Sequence, residues 1–275
     1  MSRPGEIRAT DYGVRGVPAR SWTALIALQT IVYKETHRYL RIWIQTLVPP
    51  AITMTLYFLI FGSLIGERVG PMEGYSYMEY IAPGIIMLSV ITNSYNNVVS
   101  SFFGAKFQRH IEELLVSPTP NIVILVGYVA GGVGRGLLTG AIVSGVALLF
   151  TSLPVHSLTI TISVVFLTAV LFSIGGFINA IYAKKFDDVA LVPTFVLTPL
   201  TYLGGVFYSI SLLPEFWQGV SMANPILYMV NAFRYGILGS SDVNIVLSYA
   251  MMGLFITVLG AFALYLLHRG TGLRA

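Results

Sequence analysis

Six stretches of the chain are apolar over about the twenty residues that a helix needs to cross the ~30 Å hydrocarbon core of a bilayer, and no other feature restricts the fold as strongly. They are 43–66 (WIQTLVPPAITMTLYFLIFGSLIG), 80–103 (YIAPGIIMLSVITNSYNNVVSSFF), a glycine-rich stretch within 121–153, then 157–183, about 189–209, and 246–267. Composition agrees: 55% of residues are hydrophobic and only 10% charged, where a soluble domain carries about 25% charged residues. The sequence predicts one all-α integral membrane domain over 1–275, with a cytoplasmic tail and interfacial helix at 1–42 and a six-span core at 43–268. The polar first twenty residues lack the apolar core of a cleavable signal peptide, so the N-terminus is expected to stay where it is made. Cysteine is absent, which excludes disulfides and thiolate chemistry.

Orientation follows from the Lys and Arg distribution, because basic loops stay cytoplasmic. With six spans both termini share a side, and that side carries Arg3, Arg8, Arg15, Arg20, Lys34, Arg38, Arg41, Lys106, Arg109, Lys184, Lys185, Arg269 and Arg274. The opposite side has Arg68 and Arg234, and Arg135 falls within the third stretch. The termini and the loop at 104–120 are therefore expected in the cytoplasm. Basic clusters beside apolar spans act as orientation signals, so no nucleic-acid partner is expected.

Two apolar segments are too short to span. In SWTALIALQTIVY (21–33), Trp22, Leu25, Ile26, Val32 and Tyr33 fall near helical spacing behind Ser21, a plausible N-cap. The segment reads as an amphipathic helix on the inner membrane surface, or as part of a small cytoplasmic cap. Between the fifth and sixth stretches, Pro214 can open a helix and Asn224-Pro225 should interrupt it. A pair of short re-entrant helices and an interfacial loop anchored by Phe216, Trp217, Tyr228 and Tyr235 fit this segment equally.

The chain carries no catalytic signature. Neither H-E-x-x-H nor G-x-S-x-G occurs, the four histidines are scattered, and each Asp and Glu maps to a loop or flank. No lysine follows a glycine, so no G-x-x-x-x-G-K-[ST] phosphate loop exists, and any ATP and Mg chemistry must reside on a partner chain. Such a partner needs a handle. In FFGAKFQRHIEELLVSPTP, Phe107, Ile111, Leu114 and Leu115 share one helical face while Lys106, Arg109, Glu112 and Glu113 supply charge. The spacing predicts a short amphipathic cytoplasmic helix over 106–116, continuous with two spans and stopped by Ser117-Pro118 and Pro120, which could pass a partner's push to the spans; a passive interfacial helix would look the same.

In the second stretch, Asn93, Tyr95, Asn96 and Asn97 are candidates to line a substrate path, and Arg135 is a candidate cavity-lining charge. Interhelical hydrogen bonding is the competing role for the asparagines, and snorkelling to the headgroups for Arg135. Small-xxx-small spacings at 127/131, 132/136 and 136/140 allow close helix approach, within the chain or at a dimer interface.

The segment AKFQRHIEELLVSPTP resembles the first coupling helix of the ABC type-2 permease family, the membrane subunits of many ABC exporters. YLGGVFYSISLLPEFWQGVSMANPILYMVNAFRYGILG (202–239) resembles that family's signature segment and is close to its YadH-like branch of bacterial inner-membrane permeases. The resemblance implies a homodimer of permeases with two ABC ATPase subunits that insert between the N-terminal helix and the coupling helix. Docking then falls to Lys106, Phe107, Arg109, Ile111, Glu112, Glu113, Leu114 and Leu115, with Lys184 and Lys185 of KKFDD as a smaller contact. It also implies a re-entrant outer gate over 213–237, with Pro214, Trp217, Asn224, Pro225, Tyr228, Phe233 and Arg234. The expected function is outward movement of a lipid-, glycan- or drug-like substrate across the bacterial inner membrane, with no cofactor bound by this chain. The alternative is an ion-coupled secondary transporter or channel acting without an ATPase.

Overall fold

A computed structural model describes residues 20–117 and 119–272; of Arg20, Ser21, Ser63, Glu67 and Leu115 it describes the backbone alone. Arg3, Arg8, Arg15 and Arg274, and the side chain of Ser21, lie outside the described residues.

The described residues are almost wholly helical. In chain order the helices are α1 (Arg20–Arg41), α2 (Trp43–Tyr57, continued by a π-wound stretch Phe58–Ile65), α3 (Tyr77–Phe107), α4 (His110–Val116), α5 (Asn121–Ala147), α6 (Leu158–Tyr182), α7 (Phe186–Val192, continued through Pro193–Leu197 and Thr198–Tyr202), α8 (Glu215–Met222), α9 (Pro225–Leu238) and α10 (Ile245–Arg269). Among them Trp43–Gly62, α5, α6 and α10 are long and apolar enough to cross a membrane. The second predicted stretch lies within α3, whose 31 residues are ample but whose asparagines and serines make it less apolar. The fifth differs from expectation: its helical run starts at Phe186 and ends at Tyr202, not near 209, because Gly204 and a left-handed Gly205 (φ 69°) turn the chain.

α3 is the central rod, packed along α5 and α6 and against α9. It starts on a capping box: Glu79 N–H donates to Ser76 Oγ (3.3 Å) and Ser76 N–H returns a bond to Glu79 Oε2 (3.0 Å). Close approach is set by the glycines of α5, which sort onto two faces. A Cβ added at Gly127 would lie 2.6 Å from Ile31, and one at Gly131 2.6 Å from Glu35, so this face seats α1. One added at Gly132 would lie 2.3 Å from Ser173 Oγ, so the other face meets α6 as well as α3. These small-residue spacings are used inside the chain, not at a seam between two copies.

α1 buries a single stripe, Ile31, Glu35 and Tyr39, and leaves Trp22, Leu25, Ile26 and Tyr33 exposed. The predicted amphipathic helix is therefore present, and it runs on past Tyr33 through the charged KETHR segment to Arg41.

Candidate functional site

α1 and α4 wall a cleft of ≈ 500 Å³, lined by Thr30, Ile31 and Lys34 from α1, His110, Glu113 and Leu114 from α4, and Tyr128 from α5. α4 is placed here by a sharp break. α3 ends at Phe107, and Arg109 then adopts the left-handed conformation (φ 62°), which is uncommon for a side-chain-bearing residue. The expected continuous helix over 106–116 is thus corrected to two pieces. Lys106 and Phe107 complete the long rod, and a separate short helix begins at His110.

The break decides which side chains face out. Ile111 is 1% exposed and anchors α4 in the core, whereas Arg109, Glu112 and Glu113 are exposed. Among the described residues two ion pairs occur, Glu35–Arg38 and Arg234–Asp242, so Lys34 and Glu113 present unpaired charge at the cleft, and Glu112 is exposed and unpaired on the same helix as Glu113. Leu114 is half-buried in the cleft wall, and the side chain of Leu115 lies outside the described residues.

Lys106 does not face outward as a docking charge would. Its Nζ donates to the carbonyls of Ile181 and Ala183 (2.8 Å to the latter), capping the C-terminus of α6, where a cation complements the helix dipole. Phe107 is 59% exposed and packs on Phe186 of α7 at 4.9 Å, which joins the two cytoplasmic loops of the predicted topology. Lys184 and Lys185 are exposed, and their backbone N–H groups donate to Asp188 (2.8 and 3.0 Å). Those bonds, first that from Lys184 and then that from Lys185, hold the Asp188 carboxyl below its ordinary range.

Behind the cleft is a polar cluster that the sequence reading missed. Glu35 is fully buried between α1, α3 and α5. Its carboxylate accepts from Ser101 Oγ and from Arg38 Nη2 (3.1 Å), and Arg38 also donates to Asn97 Oδ1 (2.8 Å). Glu35 was read as flanking charge, yet Ile31, Glu35 and Tyr39 are spaced i, i+4, i+8, one helical face. A carboxylate at a stripe position flanked by apolar residues was the available signal.

The five path candidates do not share one surface. Asn97 meets Arg38, and Asn93 Oδ1 accepts from Arg135 Nη2 (3.4 Å), so these three residues belong to the α1–α3–α5 side. Tyr95 is buried against Gly175 and Gly176 of α6. Asn96 faces the opposite way, into a groove beside α2 and α7.

At the other end of the rod, α8 and α9 form the expected pair of short helices. Pro214 directly precedes α8, and Trp217 is exposed on it. Asn224 caps α9 by accepting from Ile226 N–H (3.0 Å), with Pro225 at the first helical position. Tyr228 and Phe233 are buried, and Tyr228 Oη donates to the Met222 carbonyl (2.7 Å). Arg234, counted above as a loop cation, is fully buried. It donates to the carbonyls of Gly205 (2.6 Å) and Tyr80 (3.3 Å), and its guanidinium lies 4.0 Å from the Tyr80 ring centroid. Asp242 sits 3.9 Å away and accepts from Ser209 Oγ (2.8 Å). No group of three or more His, Asp or Glu among the described residues is arranged to hold a metal ion.

Comparison with known proteins assigns this architecture. A family profile described as ABC-2 type transporter matches residues 26–238, which spans the cleft, the polar cluster and the α8–α9 pair. The chain is 59% identical over 250 residues to the Inner membrane transport permease YadH of Escherichia coli (strain K12), covering 91% of this chain and 98% of that one. It is 25% identical over 249 residues to Nodulation protein J of Rhizobium leguminosarum bv. viciae, covering 90% and 94%. ABC-2 permeases lack an ATPase domain of their own, in keeping with the missing phosphate loop, and the reading as an ion-coupled carrier or channel gives way. The chain belongs to the ABC-2 type transporter family, as one of its membrane permease subunits.

Proposed function

We propose that this permease is the membrane half of an ATP-driven exporter whose motor, a separate ABC ATPase, inserts into the α1–α4 cleft. The observation that carries this reading is the cleft itself: ≈ 500 Å³, walled by α1 and the short α4, with exposed, unpaired Lys34 and Glu113 in its lining and Glu112 exposed on α4. Ile111 in the core and the Arg109 break give α4 a firm root and a free outer face, so the charged side makes the contact. A smaller contact falls on Lys184 and Lys185, beside Phe107 and Phe186. ATP and Mg belong to the partner.

In this reading the chain crosses the inner membrane six times, through α2, α3, α5, α6, α7 and α10, with both termini in the cytoplasm. α1 rests on the inner surface by its exposed Trp22, Leu25, Ile26 and Tyr33. α8 and α9 re-enter from the outside as a gate held by Arg234. Two copies enclose the path, two ATPases drive it, and a lipid-, glycan- or drug-like substrate moves outward. Coupling requires that the ATPase favour one permease conformation over the other. The test is reconstitution of the permease with its ATPase. Reversal of charge at Glu112 and Glu113 together should abolish permease-stimulated ATP hydrolysis while the permease stays folded. Unchanged stimulation would remove these residues from the contact.

A further inference from the structure

The polar cluster behind the α1–α4 cleft has more donors than acceptors. Among the described residues, Arg38 Nε, Asn97 Nδ2 and Arg135 Nε are buried and have no hydrogen-bond partner. We propose that they form a site for the phosphate of an anionic phospholipid of the inner leaflet, held between α1, α3 and α5. The inference rests on the orientation proposed above, which puts this part of the bundle at the inner membrane face.

The first argument is hydrogen bonding. The acceptors of the cluster are already in use. Glu35 accepts from Ser101 Oγ at one carboxylate oxygen and from Arg38 Nη2 at the other. Asn97 Oδ1 accepts from Arg38, and Asn93 Oδ1 from Arg135. Asn97 is fully buried, so its spare N–H cannot turn to bulk water. A buried donor without an acceptor is costly, and three of them on adjoining helices call for one multivalent acceptor. A phosphate offers several oxygens at once, and the planar fork of arginine suits them.

The second argument is charge. Arg38 and Arg135 lie within electrostatic reach of each other, and among the described residues Glu35 is the carboxylate paired with this cluster. Two guanidiniums against one carboxylate leave a surplus of one positive charge. A buried water would meet a donor and leave that surplus in place, whereas a phosphodiester with its single negative charge meets both. A zwitterionic head group brings its own cation and cancels the gain.

The third argument is depth. Asn97 lies twenty residues along α3 from Tyr77, about 30 Å, the thickness of the hydrocarbon core. With Tyr77 at the outer face, Asn97 reaches the inner one. The exposed Trp43 opens α2 five residues after Arg38, as interfacial tryptophans do, and exposed Leu40 and Leu137 follow two residues after each arginine. The Arg38 side chain keeps 30% exposure and Arg135 is partly exposed, so a head group can reach both. Basic pockets between membrane helices on the cytoplasmic side hold anionic head groups. A lipid bound here would brace α1, one wall of the motor cleft.

The experiment titrates the permease, purified with its ATPase, with phosphatidylglycerol or phosphatidylcholine of the same acyl chains and counts retained lipids by native mass spectrometry. Phosphatidylglycerol should be held at least about tenfold more tightly. Asn97→Asp keeps the oxygen that Arg38 binds but exchanges the spare N–H for a negative charge, and should weaken retention about tenfold. Arg135→Gln supplies a second variant should Asn97→Asp not fold. Arg41→Gln removes an exposed charge nearby and should change retention less than about twofold, which separates a built site from diffuse attraction. Equal retention of the two lipids overturns the proposal, as does a folded site variant that binds like the wild type or an equal loss with Arg41→Gln. Displacement of phosphatidylglycerol by equimolar inorganic phosphate overturns the lipid assignment in favour of the free anion. Orientation is read separately. The chain has no cysteine, so Arg41→Cys supplies a single thiol; its labelling by an impermeant maleimide in right-side-out vesicles would defeat the orientation and leave the lipid result standing.

Discussion

Arg38 donates to Asn97 Oδ1 at 2.8 Å across 59 residues of sequence, and the same guanidinium nitrogen holds the buried carboxylate of Glu35 at 3.1 Å. This bond fastens α1 to the central rod α3. Glu35→Ala should destabilise the permease by about 2–4 kcal/mol, because it strands a partly buried arginine. Arg38 retains 30% exposure and can partly rehydrate, which keeps the effect below that of a fully buried pair. Thermal unfolding in detergent measures it, and a Glu35→Ala/Arg38→Ala cycle should return a coupling of about 1–3 kcal/mol.

Lys106 and Glu112 belong to one predicted segment but should behave differently. Lys106→Met removes a cation from the α6 terminus, with an expected loss of about 1–2 kcal/mol of stability. Charge reversal at the exposed Glu112 should leave the melting temperature within error and weaken ATPase binding in a pull-down. If both variants acted on stability alone, the cleft would not be the contact.

Arg109 stands at φ 62°, where a Cβ is disfavoured by roughly 1–2 kcal/mol. Arg109→Gly should hold or raise the melting temperature, and Arg109→Val should lower it. A fall in permease-stimulated ATP hydrolysis with Arg109→Gly would then report the lost charge and not a disturbed turn.

Arg234→Met takes from the carbonyls of Tyr80 and Gly205 their side-chain donor and removes the cation 3.9 Å from the Asp242 carboxylate, an expected loss of about 3–5 kcal/mol. Lysine cannot reproduce the fork, so Arg234→Lys should recover only a small part of it in the same unfolding assay.

The Asp188 carboxyl is held below its ordinary value of 3.8 by the Lys184 and Lys185 amides. A carboxyl with a depressed folded pKa contributes stability above its unfolded value and loses it as pH falls through the folded one. An NMR titration of Asp188 should therefore give a midpoint below 3.8; one at or above that value would show the loop to be open in solution.

Apolar run length made most of the helices legible, because lipid leaves a backbone few alternatives. What it could not supply was the sorting of polar groups within helices. Asn93, Asn96 and Asn97 look alike in sequence, yet rotation of about 100° per residue sends Asn96 to a different neighbour from the other two. Lys106 read as a surface charge because the helix end it caps lies 75 residues away in the chain. The break at Arg109 left no mark either, since only glycine, asparagine or aspartate would have advertised a left-handed turn there.

The helical run Phe186–Tyr202 carries a consequence for the surrounding lipid. Past the charged Asp187 and Asp188, the residues 189–202 rise about 21 Å, short of a hydrocarbon core of about 30 Å. In the six-crossing arrangement this deficit must be met by thinning of the bilayer around α7 or by drawing the 203–209 turn inward, and either response has a modest elastic cost for each ångström. In that arrangement membrane thickness becomes a variable that the permease registers at one helix, and acyl-chain length becomes a means of biasing its conformation without touching either nucleotide or cargo.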